Sequence, residues 1–360
     1  CSIFCVGQVQ KRRWLSSCAP QTLTSRIRAS TTLRTSRSTS NSRVRRLASS
    51  RTALPARAGL IVIGNEGALC YITEVTVKLF PYTPENHRFM GWTLKTMSVG
   101  FEALREVMVA GFRPSVARLY DYEDGQLHFS HFAKPDECIL LFLAEGNAGI
   151  TEATEKGITE IVSKYGECVP VDSKLVEEWF YDLVWGPDKV TREDNRIFTQ
   201  RNVNRTTEIS ADWSAIQKIY DAVIPRIRAE LNGITLLGGY SSHSYINGTN
   251  MYFNYFYDLI DCEPEEENDK YYFPIIKIIV EETLRFGGSI VHHHGIGKAR
   301  SRWVRDEYGT SFPMLETLKH AFDPHGIMNA GTIIPTRRTS SPKNIYFPIS
   351  WTWTATSPSW

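Results

Sequence analysis

The sequence predicts an α+β fold, and two stretches carry that expectation. Residues 89–171 read as strand, helix, strand and then strand, helix, strand, the succession of a ferredoxin-like split sheet. Residues 213–258 repeat the theme with one long helix followed by two strands. In order, 89–94 and 115–120 are predicted strands flanking a helix over 99–110, whose Phe101, Leu104, Val107 and Met108 share a face. The run 138–144 is a third strand, 150–165 a helix, 168–171 a fourth strand and 173–185 helical. Further on, 213–231 reads as a helix and 234–243 and 250–258 as strands. The acidic stretch 263–269 is expected to be a solvated loop, followed by a helix over 272–286. A last helix, 313–322, stops before Asp323-Pro324, because proline disfavours a helical residue ahead of it. Residues 64–79 read as a turn and then an apolar strand.

The near-neutral charge hides a division. Residues 1–65 contain Lys11, eleven Arg and no acidic side chain, while the remainder carries 29 basic against 39 acidic residues. The acidic part argues against a broad nucleic-acid footprint. The stretch 22–51 is mostly Ser, Thr and Arg and cannot bury enough apolar surface to offset chain entropy. We expect 1–59 to be a disordered or non-native leader, and 336–360 an equally foreign tail. An Arg- and Ser-rich, acid-free segment also suits a transit peptide. The seven cysteines are odd in number and lack a CxxC pair, which argues against a disulfide framework and a structural zinc site. Buried thiols in a reducing intracellular compartment are the expectation. No apolar run is long enough to span a membrane.

Chemistry concentrates at 287–297, where Ser289-Ile290-Val291-His292-His293-His294 is framed by glycines. Three adjacent imidazoles can serve acid–base chemistry, hold a metal or fill space. If 289–293 is extended, His292 and His294 share one face and His293 takes the other. No Cys, Asp or Glu lies within the run, so no metal is expected there. On the predicted strand 250–258, alternation places Tyr252 with Asn250 and Asn254, opposite Met251, Phe253, Tyr255 and Tyr257. Arg118, on a strand among apolar residues, is costly to bury without an anion partner.

Three motifs in sequence order carry a resemblance. EGALCYITEVTVKL at 66–79, the histidines with Gly295-Ile296-Gly297, and DPHGIMNAG at 323–331 are similar to segments of the vanillyl-alcohol-oxidase superfamily of FAD-linked oxidases. The triple histidine most resembles the alkyldihydroxyacetonephosphate synthases. The resemblance implies that 81–335 is the C-terminal (cap) substrate domain, that 60–80 is a remnant of the flavin-binding domain, and that the rest of that N-terminal domain is largely missing. It implies FAD as cofactor, contacted by Glu66, Gly67, Ala68, Leu69, Cys70, Tyr71 and Ile72, with Arg118 and Asn329. Cys70 and Ala68 replace the family's usual glycine and threonine. It further implies Tyr252 as acid–base group, His292, His293 and His294 as the catalytic cluster, and Arg192 or Arg196 as the substrate's anion partner.

The implied reaction exchanges an acyl for an alkyl group on dihydroxyacetone phosphate, in ether-lipid synthesis and without net redox change. An FAD-linked oxidase or dehydrogenase of a 2-hydroxy acid or small alcohol, and a truncated inactive product, are the alternatives. The expected partner is a small-molecule or lipid substrate and no nucleic acid; peripheral membrane contact and a homodimer stay open. Resemblance points to cytoplasm or peroxisome. Limited proteolysis is expected to remove 1–59 and leave a stable core beginning near residue 60; protection of 22–51 contradicts this.

Overall fold

The computed structural model describes residues 62–73, 80–183 and 199–335. The leader and tail expectations, residues 74–79 of the predicted turn and strand, Arg192 and Arg196 lie outside the described residues. The described strands form one antiparallel sheet: β1 (Arg88–Leu94), β2 (Val116–Tyr120), β3 (Cys138–Ala144), β4 (Val169–Val171), β5 (Asn202–Asp212), β6 (Ile234–Ser241) and β7 (Gly248–Asp258). Their order is β4-β1-β3-β2-β6-β7-β5. The first four strands, with α1 (Met97–Val109) and α3 (Ala148–Val162) as crossovers, make the expected split unit. A second unit begins the same way, with β5, α5 (Trp213–Glu230), β6, β7 and α6 (Phe273–Arg285). Its fourth strand is reduced to one antiparallel bridge, Ser210 to Ser289, on the free edge of β5.

The units meet where β2 pairs with β6, through Leu119 with Ser241 and Tyr120 with Tyr240. Asp121 reinforces the seam. Its Oδ1 accepts the Asp124 N–H and caps α2 (Tyr122–Phe129), while its Oδ2 accepts from Gly239 N at 2.6 Å and Tyr220 Oη at 2.8 Å. Burial pushes this carboxyl up to about 7.

Alternation sorts the sheet's faces. Leu119, Leu140, Phe142, Met251, Phe253, Tyr255 and Tyr257 join α1, α3, α5 and α6 in the main core. On the other face, Tyr120, Ile139 and Leu141 pack with Phe129 of α2 and with Val176 and Trp179 of α4 (Ser173–Asp182). At the C-terminal end, α7 (Val304–Tyr308) and α8 (Phe312–Phe322) enclose a small cluster of Ile296, Val304 and Phe312.

Three expectations need correction, and two elements are additional to them. Residues 64–73 form turns and irregular backbone, held by Asn65, whose side-chain oxygen accepts the N–H groups of Leu69 and Cys70. The acidic stretch is no solvated tip at Glu267, which is buried and paired with Arg205 and the Tyr257 hydroxyl. Beyond the bridge at Ser289 the histidine run bends and is not a strand. Helix α2 and strand β5 were not foreseen.

The split of faces on β7 has a measurable consequence. Tyr255 is fully buried and its hydroxyl meets Thr207 Oγ1 at 2.7 Å. Tyr255→Ala is expected to cost about 3–5 kcal/mol in chemical denaturation, the range for large aromatic truncations. Tyr252→Phe, which keeps its ring, should cost about 1 kcal/mol or less.

Candidate functional site

The site grows from a single row of residues across four strands. Tyr120 pairs with Tyr240, Tyr240 with Tyr252, and Tyr252 with Glu208. Directly opposed residues share a sheet face. The rings therefore stack: Tyr240 on Tyr252 at 4.3 Å and 4°, and Tyr120 on Tyr240 at 5.1 Å and 20°. Arg118 lies beside them, donating to Tyr120 Oη at 2.8 Å, with its guanidinium over the rings of Tyr240 and Trp179. No carboxylate lies within ion-pair distance of it among the described residues. Asn250 and Asn254 stand on this face too: Asn250 donates to Glu208 at 3.1 Å and Asn254 to Asp124 at 2.7 Å. The predicted sides of β7 are both found.

Glu208 is wholly buried at the end of the row. Its Oε2 accepts three consecutive N–H groups, from His292 at 3.3 Å, His293 at 2.9 Å and His294 at 3.0 Å. This overturns the extended reading of 289–293, because side chains alternate in a strand and three successive N–H groups do not converge. Arg300 ties the same loop to β5, donating to Glu208 O of the strand and Ile290 O of the loop at 2.6 Å each and to Gly295 O of the loop. Glu208 Oε1 faces Nδ1 of His293, with Nδ1 of His292 at 3.3 Å. His293 Nε2 meets Tyr252 Oη at 2.7 Å, and His292 Nε2 meets Tyr245 Oη at 2.9 Å. His294 packs edge-on to Tyr252 at 5.0 Å, and His243 packs against His293 at 4.4 Å.

Burial opposes the charge on Glu208, but the N–H groups of His293 and His294 and the Asn250 amide outweigh it. Its carboxyl is held below the usual carboxylate range. Tyr252 is pushed up to about 12, by burial and then by the Glu208 charge, so its phenol keeps its proton at neutral pH. Burial is also the main force lowering His293 and His294, leaving neutral imidazoles as acceptors.

The other motifs converge on the same loop. Glu66, at φ +51°, accepts the N–H groups of Ile296 and Gly297 at 2.7 Å each. A Cβ at Gly295 would meet that carboxylate at 2.8 Å, and Gly295 has φ +80°, so only glycine suits the position. Asn329 donates to Glu66 O at 2.6 Å, and Lys319 joins Ala68 O, Met328 O and Asp323. Ala68, Leu69 and Cys70 are buried, whereas Tyr71 and Ile72 are exposed. Arg201 and Arg205 pair with Glu263 and Glu267 and are not free for a ligand.

Sequence reasoning missed Glu208, Arg300, His243 and Tyr245 as members of the site. The absence of Cys, Asp or Glu from the run does not exclude a metal, since Glu208 brings a carboxylate to the histidines. Ligand atoms of His243, His292 and His293, and of Glu208, His293 and His294, lie within 4.8 Å of one another. The Nδ1 atoms of His292 and His293 sit at 2.8 Å, a hydrogen-bond distance. A zinc ion bound at about 2.0–2.1 Å to each would hold two nitrogens wider apart.

The model for FAD linked oxidases, C-terminal domain, matches residues 83–333. The chain belongs to this family. FAD is the cofactor that membership implies. An uncharacterized FAD-linked oxidoreductase of Escherichia coli (strain K12), YgcU, is 59% identical over 278 residues, covering 76% of this chain and 57% of that protein. The alkyldihydroxyacetonephosphate synthase of Trypanosoma brucei brucei is 25% identical over 302 residues, covering 76% of this chain and 48% of the relative. The chain thus spans about half the length of these relatives. A solved alkyldihydroxyacetonephosphate synthase shares the fold at TM-score 0.53 and 19% identity, over 77% of this chain and 49% of that one. Among the described residues no helix is long and apolar enough to cross a membrane.

The packing of His243 makes a pH prediction. His243 keeps an exposed edge, but desolvation of the rest of its ring, then the neighbouring His293 and His292, hold it at about 4, below its ordinary 6.5. A base depressed by folding contributes stability that is present above about 6.5 and lost as pH falls towards 4. Histidine-ring NMR should show His243 neutral down to about pH 4. In denaturation curves His243→Asn should lose less stability than the parent between those values.

Proposed function

We propose that the chain is the substrate-facing cap of an FAD-linked enzyme in which Tyr252 and His293 move a proton at the substrate. The observation that supports this reading is the run of contacts Tyr252 Oη, His293 Nε2, His293 Nδ1 and Glu208. A substrate proton passes to Tyr252 Oη while the phenol's own proton passes to His293 Nε2. The imidazolium so formed faces the Glu208 carboxylate. Proton transfer by a positioned side chain is worth about 10²–10⁴-fold. Tyr240 stacks on the Tyr252 ring, and Arg118 backs Tyr240 in turn.

Bound FAD supplies the two-electron chemistry that no side chain here offers. The residues fit such a flat group: Gly67 at φ +75° presents no side chain, and a Cβ there would meet nothing nearer than Asn329 at 3.9 Å. Exposed Tyr71 and Ile72 add apolar surface beside it. Glu66, Gly67, Tyr71, Ile72, Arg118 and Asn329 would hold the cofactor. Ala68, Leu69 and Cys70, whose N–H groups are taken by Asn65, would support that surface from behind by packing.

For the reaction, the triple histidine with Tyr252 favours the alkyldihydroxyacetonephosphate synthase type, with no net redox change. The 59% identity to a relative described as an uncharacterized FAD-linked oxidoreductase supports a second reading, a redox reaction, for which a 2-hydroxy acid or small alcohol is the substrate class we propose. FAD titration followed by flavin absorbance comes first, and failure to take up FAD favours an inactive product. Conversion of an acylated dihydroxyacetone phosphate with a fatty alcohol, without electron acceptor, supports the synthase. Flavin bleaching by a 2-hydroxy acid, with reoxidation by an acceptor, supports the oxidase. In either case Tyr252→Phe should lower turnover by about 10²–10⁴-fold; near-normal turnover removes Tyr252 from the mechanism. Elemental analysis of untagged protein should find no stoichiometric transition metal, and one zinc per chain would replace this proton relay.

A further inference from the structure

We infer that Glu208 is the positioning residue of the site: it fixes His293 as the tautomer that carries its proton on Nδ1 and leaves Nε2 bare towards Tyr252. The inference rests on the proton-transfer role proposed for Tyr252, but its test needs neither flavin nor turnover.

Three observations lead to it. First, an ionised carboxylate can only accept, and the hydrogen-bonding neighbours of Glu208 are donors: three backbone N–H groups, the Asn250 amide and the nearer imidazole nitrogen, Nδ1 of His293. Burying this charge is costly unless all its acceptor sites are filled, and here the loop fills them. Second, Nδ1 of His293 is the imidazole nitrogen nearer to Oε1, so that nitrogen must carry the proton. Neutral imidazole has one N–H, so Nε2 is then an acceptor, and the phenol at 2.7 Å donates to it. Third, the rest of the cluster agrees. The His293 Nδ1–H is then shared between Glu208 Oε1 and the His292 Nδ1 at 2.8 Å, which accepts. The proton of His292 itself then lies on Nε2 and is donated to Tyr245 Oη at 2.9 Å. One carboxylate thereby sets the direction of every hydrogen bond from the sheet to Tyr252 and Tyr245.

Replacing Glu208 by Gln makes a specific change. The amide oxygen can still accept from the loop, but the amide nitrogen facing His293 Nδ1 can only donate. His293 must then move its proton to Nε2 and point it at Tyr252. Long-range ¹H–¹⁵N spectra of the full chain, labelled with [¹⁵N]histidine, read the tautomer directly, and loss of the signal in His293→Gln assigns it. At a pH above the histidine range the parent should show protonated Nδ1 and bare Nε2. Glu208→Gln should reverse this. Tyr252→Phe, which keeps the ring and the fold, should leave it unchanged, because the carboxylate and not the phenol sets it. A parent protonated on Nε2, a folded Glu208→Gln protein with an unreversed tautomer, or a mixture in Tyr252→Phe would each overturn the inference. If Glu208→Gln does not fold, the parent and Tyr252→Phe spectra still decide. Normal turnover in Tyr252→Phe with these tautomers intact would instead sink the proposed function and leave the role of Glu208 standing.

Discussion

A carboxylate with no access to water is the constraint on which the rest of the site depends. Glu208 stays ionised when buried only if its oxygens are supplied with donors, so the chain must bring donors to it. The donors come from a loop far along the sequence, as three successive N–H groups. Arg300 takes up the loop's carbonyls at Ile290 and Gly295, so acceptors and donors of one backbone segment are satisfied by two buried charges of opposite sign. The position of the histidine rings follows from this backbone arrangement. Glu66 repeats the device one turn on, with Ile296 and Gly297 as donors.

The tyrosine row ties this loop to the far half of the sheet. A two-pair junction between β2 and β6 is short for a sheet seam. The stacked rings of Tyr120, Tyr240 and Tyr252 cross it on one face, and the Asp121 contacts with Gly239 and Tyr220 hold it from behind. Cross-strand aromatic pairs of this kind add stability beyond their buried area. The seam is thus also the place where Arg118 of the first unit reaches the aromatic wall of the second.

Much of this was readable from residue order, and the failures have physical causes. The strand 138–144 is apolar on both faces and was placed to the residue; the sides of 250–258 followed from strict alternation. Strand β5 was missed because its sequence, NVNRTTEISAD, puts polar groups on both sides and offers few apolar residues to count. Helix α2 was missed for its weak amphipathicity, although Asp121 before Tyr122 is a capping signal that could have been used. Tyr252 and the histidines were legible by residue type and resemblance. Glu208 was not: a lone glutamate declares nothing until its partners, more than eighty positions away, are folded against it.

The single bridge at Ser289 has one more implication. Had the chain continued as a full fourth strand along β5, as the first unit's symmetry would allow, every second N–H would point into the ladder or away from it. The glutamate would then face a row of side chains and no cluster of amides. Stopping the strand after one pair releases the backbone to curl, and the distance from Ser289 to Ile296 becomes the arc that must fit between a fixed bridge and the Glu66 carboxylate. In this segment the number of residues is therefore as constrained as their identity. Adding or removing one residue would rotate the amides out of phase with the carboxylate even if all three histidines were kept.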